Sequence, residues 1–340
     1  MPYSVHLDLQ PLRQEDIPHP ESPEFAEFLD AHFDAGEKLI ESMEEWHKGH
    51  VKCEGEVQIM NLNSSQTRKS LGVKEYWCGR QSAHTPSSVR KHAPTHKSSA
   101  PHGTRLEAVR SFSRRFSRQG KPESNGHHAN GDENGVGDGA SSVNFSEVER
   151  QAAVMTSQPH GLYERFRRGL LEYHSENERE YIESCRETQC LQVFQPHVAE
   201  VWRLTYVTPP PTNPRTFVVL LLSRELQIEP LGERCFMNIS LPFEHPDCAA
   251  KTGEEKSRVR GKYVSVERVR ELEDGEKVEW KMATSSDAGG NIPRFVTNSS
   301  LPNSISEDVP SFLKWMVSRF PEGTPAASTP SHPVEDEVVA

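Results

Sequence analysis

Four runs of alternating residues carry large side chains that could hold a small molecule. They are Trp202, Leu204 and Tyr206; Phe217, Val219 and Leu221; Tyr263, Ser265 and Glu267; and Trp280, Met282 and Thr284. A strand turns every second side chain to one face, so each set shares one side of a sheet. Each residue either lines a cavity or packs against a helix, and period two alone does not separate these roles. Residues 217–222 are apolar on both faces, so parity is undecided there. Glu267 with Arg268, or Arg215, could supply the polar contacts that a bound head group needs. An ordinary ion pair or a charged edge strand would use the same residues.

Catalytic patterns are absent from the sequence: no Gly-x-Ser-x-Gly elbow, no Walker-type phosphate loop and no HExxH. Gly135-Val136-Gly137-Asp138-Gly139 imitates a phosphate loop, but it lies in low-complexity sequence with no strand before it. His84, His92, His96, His102, His127 and His128 are numerous, yet they lack paired cysteines or helical spacing. Cys185 and Cys190 could approach each other, but two thiols do not make a zinc site. No metal and no cofactor is expected.

Composition limits the rest. The chain has 340 residues, is 34% hydrophobic and carries a net charge of −11. Mean hydropathy is −0.71, so a large part of the chain is expected to be disordered around one ordered core. The acidic balance gives the molecule as a whole no attraction to nucleic acid. The six cysteines have no CxxC spacing, and the first twelve residues are too polar for a signal peptide. The expectation is a cytoplasmic monomer with reduced thiols.

Ser22-Pro23-Glu24 is a helix start: a cap residue, then proline, then an acid. Phe25, Phe28, Leu29, Phe33, Ile40, Met43 and Trp46 follow at three- and four-residue steps, predicting a helix to about Trp46 that ends at Gly49. Strands are expected over 51–60 and 74–82. Leu162, Tyr163, Phe166 and Leu170 predict a helix that either continues to Cys185 or breaks in the polar stretch 174–180. Six strands follow, over 190–194, 200–207, 216–225, 234–241, 258–272 and 277–284. With no helix between them they argue for an antiparallel sheet. Asp287-Ala288-Gly289-Gly290-Asn291-Ile292-Pro293 then makes a sharp turn. After it, Ile305, Val309, Phe312, Leu313, Met316, Val317 and Phe320 form one helical stripe.

This order of elements resembles the helix-grip fold, and three local stretches sharpen the likeness. Asn213-Pro214-Arg215-Thr216-Phe217-Val218, Val259-Arg260-Gly261-Lys262-Tyr263 and Ser286-Asp287-Ala288-Gly289-Gly290-Asn291-Ile292-Pro293 resemble segments of START (steroidogenic acute regulatory protein-related lipid transfer) domains. The whole pattern is similar to a START-like family, found mainly in fungi and known only as a domain of unknown function. Tyr76-Trp77-Cys78-Gly79-Arg80-Gln81-Ser82-Ala83-His84, Tyr263-Val264-Ser265-Val266-Glu267-Arg268, Val278-Glu279-Trp280-Lys281-Met282-Ala283-Thr284 and Ser306-Glu307-Asp308-Val309-Pro310-Ser311-Phe312-Leu313 carry that second likeness. Two departures stand out. Thr216 replaces the usual acid after Arg215, and Arg294-Phe295 stands where START domains often have an aromatic nearer the proline.

The resemblance implies an α+β helix-grip domain: a curved antiparallel sheet wrapped around a long C-terminal helix. It spans 22–85 and 147–320, after an N-terminal extension 1–21. Residues 86–146 form a disordered basic insertion and 321–340 a disordered tail. A cavity of roughly 300–1,000 Å³ would hold a lipid or other hydrophobic molecule. Its lining would include the alternating residues above, Arg215 and Phe295, with opening near 285–302. Binding, and transfer, without catalysis is the implied function. A polyketide-cyclase-like enzyme, or a signalling adaptor with a vestigial cavity, is the alternative on the same fold.

The insertion carries its own signal. Residues 90–121 hold nine Lys and Arg against Glu107, a net +8, so the rest of the chain carries −19. Leu106, Val109, Phe112 and Phe116 fall at helical spacing among these cations. Such a segment either settles on an anionic membrane, each cation contributing about 1 kcal/mol, or shields the acidic body. Ser113 and Ser117 lie in a basic kinase-substrate pattern, where a phosphate would weaken membrane attraction.

Overall fold

Helix α1 (Pro23–Ser42) follows Ser22 with proline in its first turn, as the sequence predicts. A 3-10 turn, Met43–Glu45, ends it, and the chain is already a strand at His47. The computed structural model describes residue 5 and residues 7–94, 161–208, 212–228, 233–248 and 259–322. The basic segment from residue 95 on, Ser113, Ser117 and the tail from 323 on lie outside the described residues.

Among the described residues ten strands make one sheet: β1 (His47–Lys52), β2 (Val57–Asn61), β3 (Cys78–His84), β4 (Cys185–Gln195), β5 (Ala199–Tyr206), β6 (Arg215–Ile228), β7 (Glu233–Pro242), β8 (Val259–Arg260), β9 (Lys262–Leu272) and β10 (Lys277–Asp287). Their order is β1-β2-β3-β10-β9-β7-β6-β5-β4, with β8 parallel to β6. Every pair along that path is antiparallel. The single strand expected over 51–60 is instead the hairpin β1–β2. Cys53, Glu54 and Gly55 take φ of 52°, 57° and 99° and reverse the chain there, a conformation that period-two patterning does not reveal.

The remaining α-helices among the described residues are α2 (Ser65–Ser70), α3 (Pro86–Arg90), α4 (Leu162–Arg167), α5 (His174–Tyr181) and α6 (Arg294–Arg319). Helix α3 falls where the sequence reading began the insertion, and its Val89 is buried. A π turn, Arg168–Glu172, joins α4 to Tyr173, whose φ of −135° breaks the helix before α5.

Helices α1 and α6 cover opposite faces of the sheet. Against α1 lie Met237, Ile239, Val266 and Ala283, with Phe28, Phe33, Leu39 and Ile40 from the helix. Against α6 lie Val57, Phe236, Val269, Val278 and Trp280, with Ile305, Val309, Phe312 and Met316. Each such buried side chain contributes roughly 1.5–3 kcal/mol, so α6 belongs to the core. This is the helix-grip arrangement. Pro302 and Pro310 both sit inside α6. Pro310 has no N–H to offer the Ser306 carbonyl, and the Cys53 thiol donates to that carbonyl instead, at 3.2 Å.

Candidate functional site: the polar stripe beneath the C-terminal helix

The strand register brings the four alternating sets to one sheet face. Trp202 stands opposite Val219, and Leu204 opposite Phe217. Met282 stands opposite Glu267 and Arg80, and Thr284 opposite Ser265. Trp280 on the same face packs under α6, which fixes this as the α6 side.

Two apolar clusters bound that face. One is the aromatic core under α6, where Trp280 meets Phe166 and Phe312 at ring separations of 5.7 and 5.1 Å. The other is Trp202, Leu204, Val219 and Leu221. A polar stripe runs between them. Helix α5 lies along it and connects β4 to α6. His174, Glu178 and Tyr181 recur at one helical face of α5.

Arg80, only 1% exposed, sits at the core end of this stripe. Its Nη2 lies 3.2 Å from Glu267 Oε1, and its guanidinium lies 3.9 Å from the centre of the Trp280 ring. Trp280 Nε1 donates to the same Glu267 oxygen at 2.7 Å. His174 Nδ1 is 3.9 Å from Glu267 Oε2 and 2.7 Å from the Leu170 carbonyl. The Tyr206 hydroxyl donates to Glu178.

Glu178, Tyr181, Tyr206, Tyr263 and Asp308 are surrounded by protein, yet each keeps some accessible surface. Burial dominates their titration. It raises Glu178 and pushes the Asp308 carboxyl up to about 7, with Arg80 opposing and neighbouring carboxylates adding to the rise. It lifts Tyr181, Tyr206 and Tyr263 well above the ordinary tyrosine range.

The sequence candidates divide as follows. Tyr206, Phe217 and Tyr263 form a ring trio at separations of 5.7 and 5.3 Å. Glu267, Ser265 and Met282 lie on the stripe. Trp202 and Leu204 belong to the smaller apolar cluster. Trp280 is core, with its face taken by Arg80. Arg215 is buried, and its guanidinium meets the Asn213 carbonyl and Thr208 Oγ1. Arg268 faces the other way, toward Glu37 and Glu279 on the α1 side. Phe295 is 72% exposed and does not line the space. The buried face of α6 begins at Thr297, and two residues back is roughly 200° around a helix.

Sequence reasoning missed Arg80, His174, Glu178, Tyr181 and Asp308. Arg80 alternates with Cys78, Ser82 and His84 on β3, all buried. Asp308 lies one turn before Phe312, inside the apolar stripe of α6. A charged residue at a core position was the available signal in both.

The opening beside Trp202, reached by His174, Cys190, Leu221 and Ser223, encloses about 30 Å³, room for about one water. A larger opening of about 320 Å³ lies on the opposite side, among Ala35, Lys38, Leu39, Leu71 and Val73. Among the described residues no group of His, Cys, Asp and Glu could hold a metal ion. No described helix is long and apolar enough to cross a membrane.

No curated protein matches the chain. Solved structures similar to it include human StAR-related lipid transfer protein 5, at 14% identity over 87% of this chain and 98% of that one, with a TM-score of 0.49. Human STARD10 aligns at 11% identity over 84% of this chain and 80% of that one, with a TM-score of 0.47. A STAR-related lipid transfer protein fragment from Xanthomonas axonopodis aligns at 11% identity over 80% and 98%, with a TM-score of 0.39. The family described as "Protein of unknown function (DUF3074)" matches residues 148–316, and that match supports a START-like domain of unknown function.

Proposed function

We propose that the chain binds a lipid or other hydrophobic small molecule, without catalysis, in the space between the sheet, α5 and α6. One observation carries this reading: part-buried polar side chains from α5, β5 and α6 lie on the sheet face between two apolar clusters. Apolar clusters on both sides of the stripe suit a ligand with a hydrophobic body and a small polar group. Two proteins of similar fold are named for lipid transfer. The opening of about 30 Å³ beside Trp202 requires α5 or α6 to move apart for a ligand to enter. The turn at Gly289–Gly290, ahead of α6, is the proposed hinge. Transfer between membranes, with residues 90–121 on an anionic surface, extends the same reading.

Native mass spectrometry of the intact chain, followed by lipid extraction, tests it. A bound mass that denaturation releases as a lipid is expected. A bare chain, together with unchanged tryptophan fluorescence on titration with lipid, would reject it. A second reading has its own support: Glu178, Tyr206 and Asp308 converge as titratable groups, as an acid–base enzyme of the polyketide-cyclase kind would need. Turnover of a cyclisable substrate, lost in Asp308→Asn, would favour that reading.

A further inference from the structure

The opening of about 320 Å³ on the α1 face of the sheet has no part in the site under α6. Its volume is in the range of small-molecule sites, roughly 300–1,000 Å³. Three stretches wall it, and the two that are not helix α1 are anchored. The N-terminal stretch contributes Leu7. It is tied to the sheet at Leu12, whose N–H donates to the Pro242 carbonyl and whose carbonyl accepts from the Glu244 N–H, both at 2.8 Å. The chain from α2 to β3 contributes Ser70, Leu71 and Val73, and Arg68 clasps it by donating to the Lys74 and Glu75 carbonyls. Helix α1 contributes Ala31 and Ala35, one turn apart, whose short side chains leave the room. Leu7, Leu39 and Val73 are buried, while Ala31, Ala35 and Leu71 are half-buried and keep apolar surface at the opening. Among the described residues lining the cleft, seven of ten are aliphatic and none is aromatic. The other three are Asp34, Lys38 and Ser70. Asp34 and Lys38 stand one turn apart on α1, both exposed, and their charges cancel.

We propose that this cleft is a second ligand site that takes an uncharged, hydroxylated aliphatic molecule, with its chain along Leu39, Leu71 and Val73 and its hydroxyl between Asp34 and Lys38. An anionic head would gain from Lys38 and lose to Asp34, and a cationic head the reverse. A hydroxyl accepts from the ammonium and donates to the carboxylate at once, and Ser70 can serve it in either sense. An all-aliphatic wall suits a chain and offers no ring for an aromatic ligand to stack on. At about the 30 Å³ that one water occupies, the space holds roughly ten carbon-sized groups. The cleft lies across the sheet from α5 and α6, so its occupation does not depend on the site proposed there.

Three probes with one ten-carbon chain test the proposal: decanol, decanoate and decylamine, each titrated below its aggregation limit into the full chain by calorimetry. The wild type is expected to bind decanol more tightly than either charged probe. Ala35→Leu, which fills the cleft, should weaken decanol by roughly tenfold, with its urea midpoint confirming that the variant is folded. Asp34→Asn should raise decanoate affinity about fivefold, and Lys38→Gln should raise decylamine affinity by a similar factor. Both of these residues are exposed, so neither substitution threatens the fold. Decanol binding that ignores Ala35→Leu would place the alcohol elsewhere and overturn the second site, while leaving the site under α6 open to its own test by native mass spectrometry. A charged probe preferred by the wild type, or charged probes unmoved by Asp34→Asn and Lys38→Gln, would overturn the neutral head. Failure of all three probes would overturn the cleft as a ligand site.

Discussion

Arg80 and Glu267 meet across the sheet at 3.2 Å, both closed off from water. The strand β10 lies between theirs, and its Trp280 donates to the same Glu267 oxygen. The pair therefore ties three strands together beneath α6. Breaking such a pair from one side leaves an uncompensated charge, at roughly 3–5 kcal/mol. Glu267→Gln is expected to destabilise the fold by about that amount in urea denaturation. The double substitution Arg80→Met with Glu267→Gln should recover much of the loss, because no charge is then stranded. A double variant as unstable as the sum of the single ones would deny the coupling.

Two buried groups pull stability in opposite directions with pH. Burial pushes Asp308 from 3.8 up to about 7. In that window the folded state holds the proton that the unfolded state has released, so stability falls as pH rises. His84 moves the other way: burial, aided by Arg80 and His92, takes it from 6.5 down to about 3. There the unfolded state binds the extra proton, and stability rises with pH. The slopes oppose each other between pH 3.8 and 6.5. Asp308→Asn removes one of them. The variant should match wild type at about pH 4 and exceed it by up to roughly 4 kcal/mol near pH 7.5. Thermal unfolding at the two pH values checks this; a difference independent of pH would refute the buried carboxyl. A group that costs stability at neutral pH is one that function could retain.

The sheet was legible because period two survives in every long strand. The sets led by Trp202, Phe217, Tyr263 and Trp280 share the face that α6 covers. The polar half of the site was not legible for a physical reason. Arg80, Glu178 and Asp308 are remote in sequence and meet only when α5 and α6 close on β3. Glu178 alone reads as a surface charge, while Arg80 and Asp308 show a charge at a core position without showing what it meets. Arg215 was a candidate for the polar contact with a ligand and is itself buried, but the buried ion pair forms at Arg80. Phe295 failed through helix phase, since the start of α6 could be read from the turn but the rotation of its first residues could not.

The turn before α6 is pinned to the β8 edge. Gly289 has φ of 66°, and a Cβ there would come within 2.1 Å of the Arg260 carbonyl oxygen. Its N–H donates to Asp287 Oδ1 at 2.9 Å, while Arg294 holds the other oxygen at 3.0 Å. Gly289→Ala combines left-handed strain with a backbone clash, so a loss of at least about 2 kcal/mol is expected. Hydrogen exchange should speed up at residues 259–262 and 285–296 ahead of the rest of the sheet. Unchanged protection there would show that the turn does not hold α6 in place.

The thiol of Cys53 and the ring of Pro310 make a joint prediction. Proline inside α6 frees the Ser306 carbonyl, and the thiol that satisfies it comes from the β1–β2 turn, held in left-handed backbone. Cys53→Ala should then leave that carbonyl without a partner and cost about 1 kcal/mol. In a Pro310→Ala background the restored N–H can close the helical bond, and the same Cys53→Ala change should cost clearly less. Denaturant unfolding of the two single variants and the double variant measures the coupling. A cost for Cys53→Ala that is the same in both backgrounds would mean that the thiol only fills space.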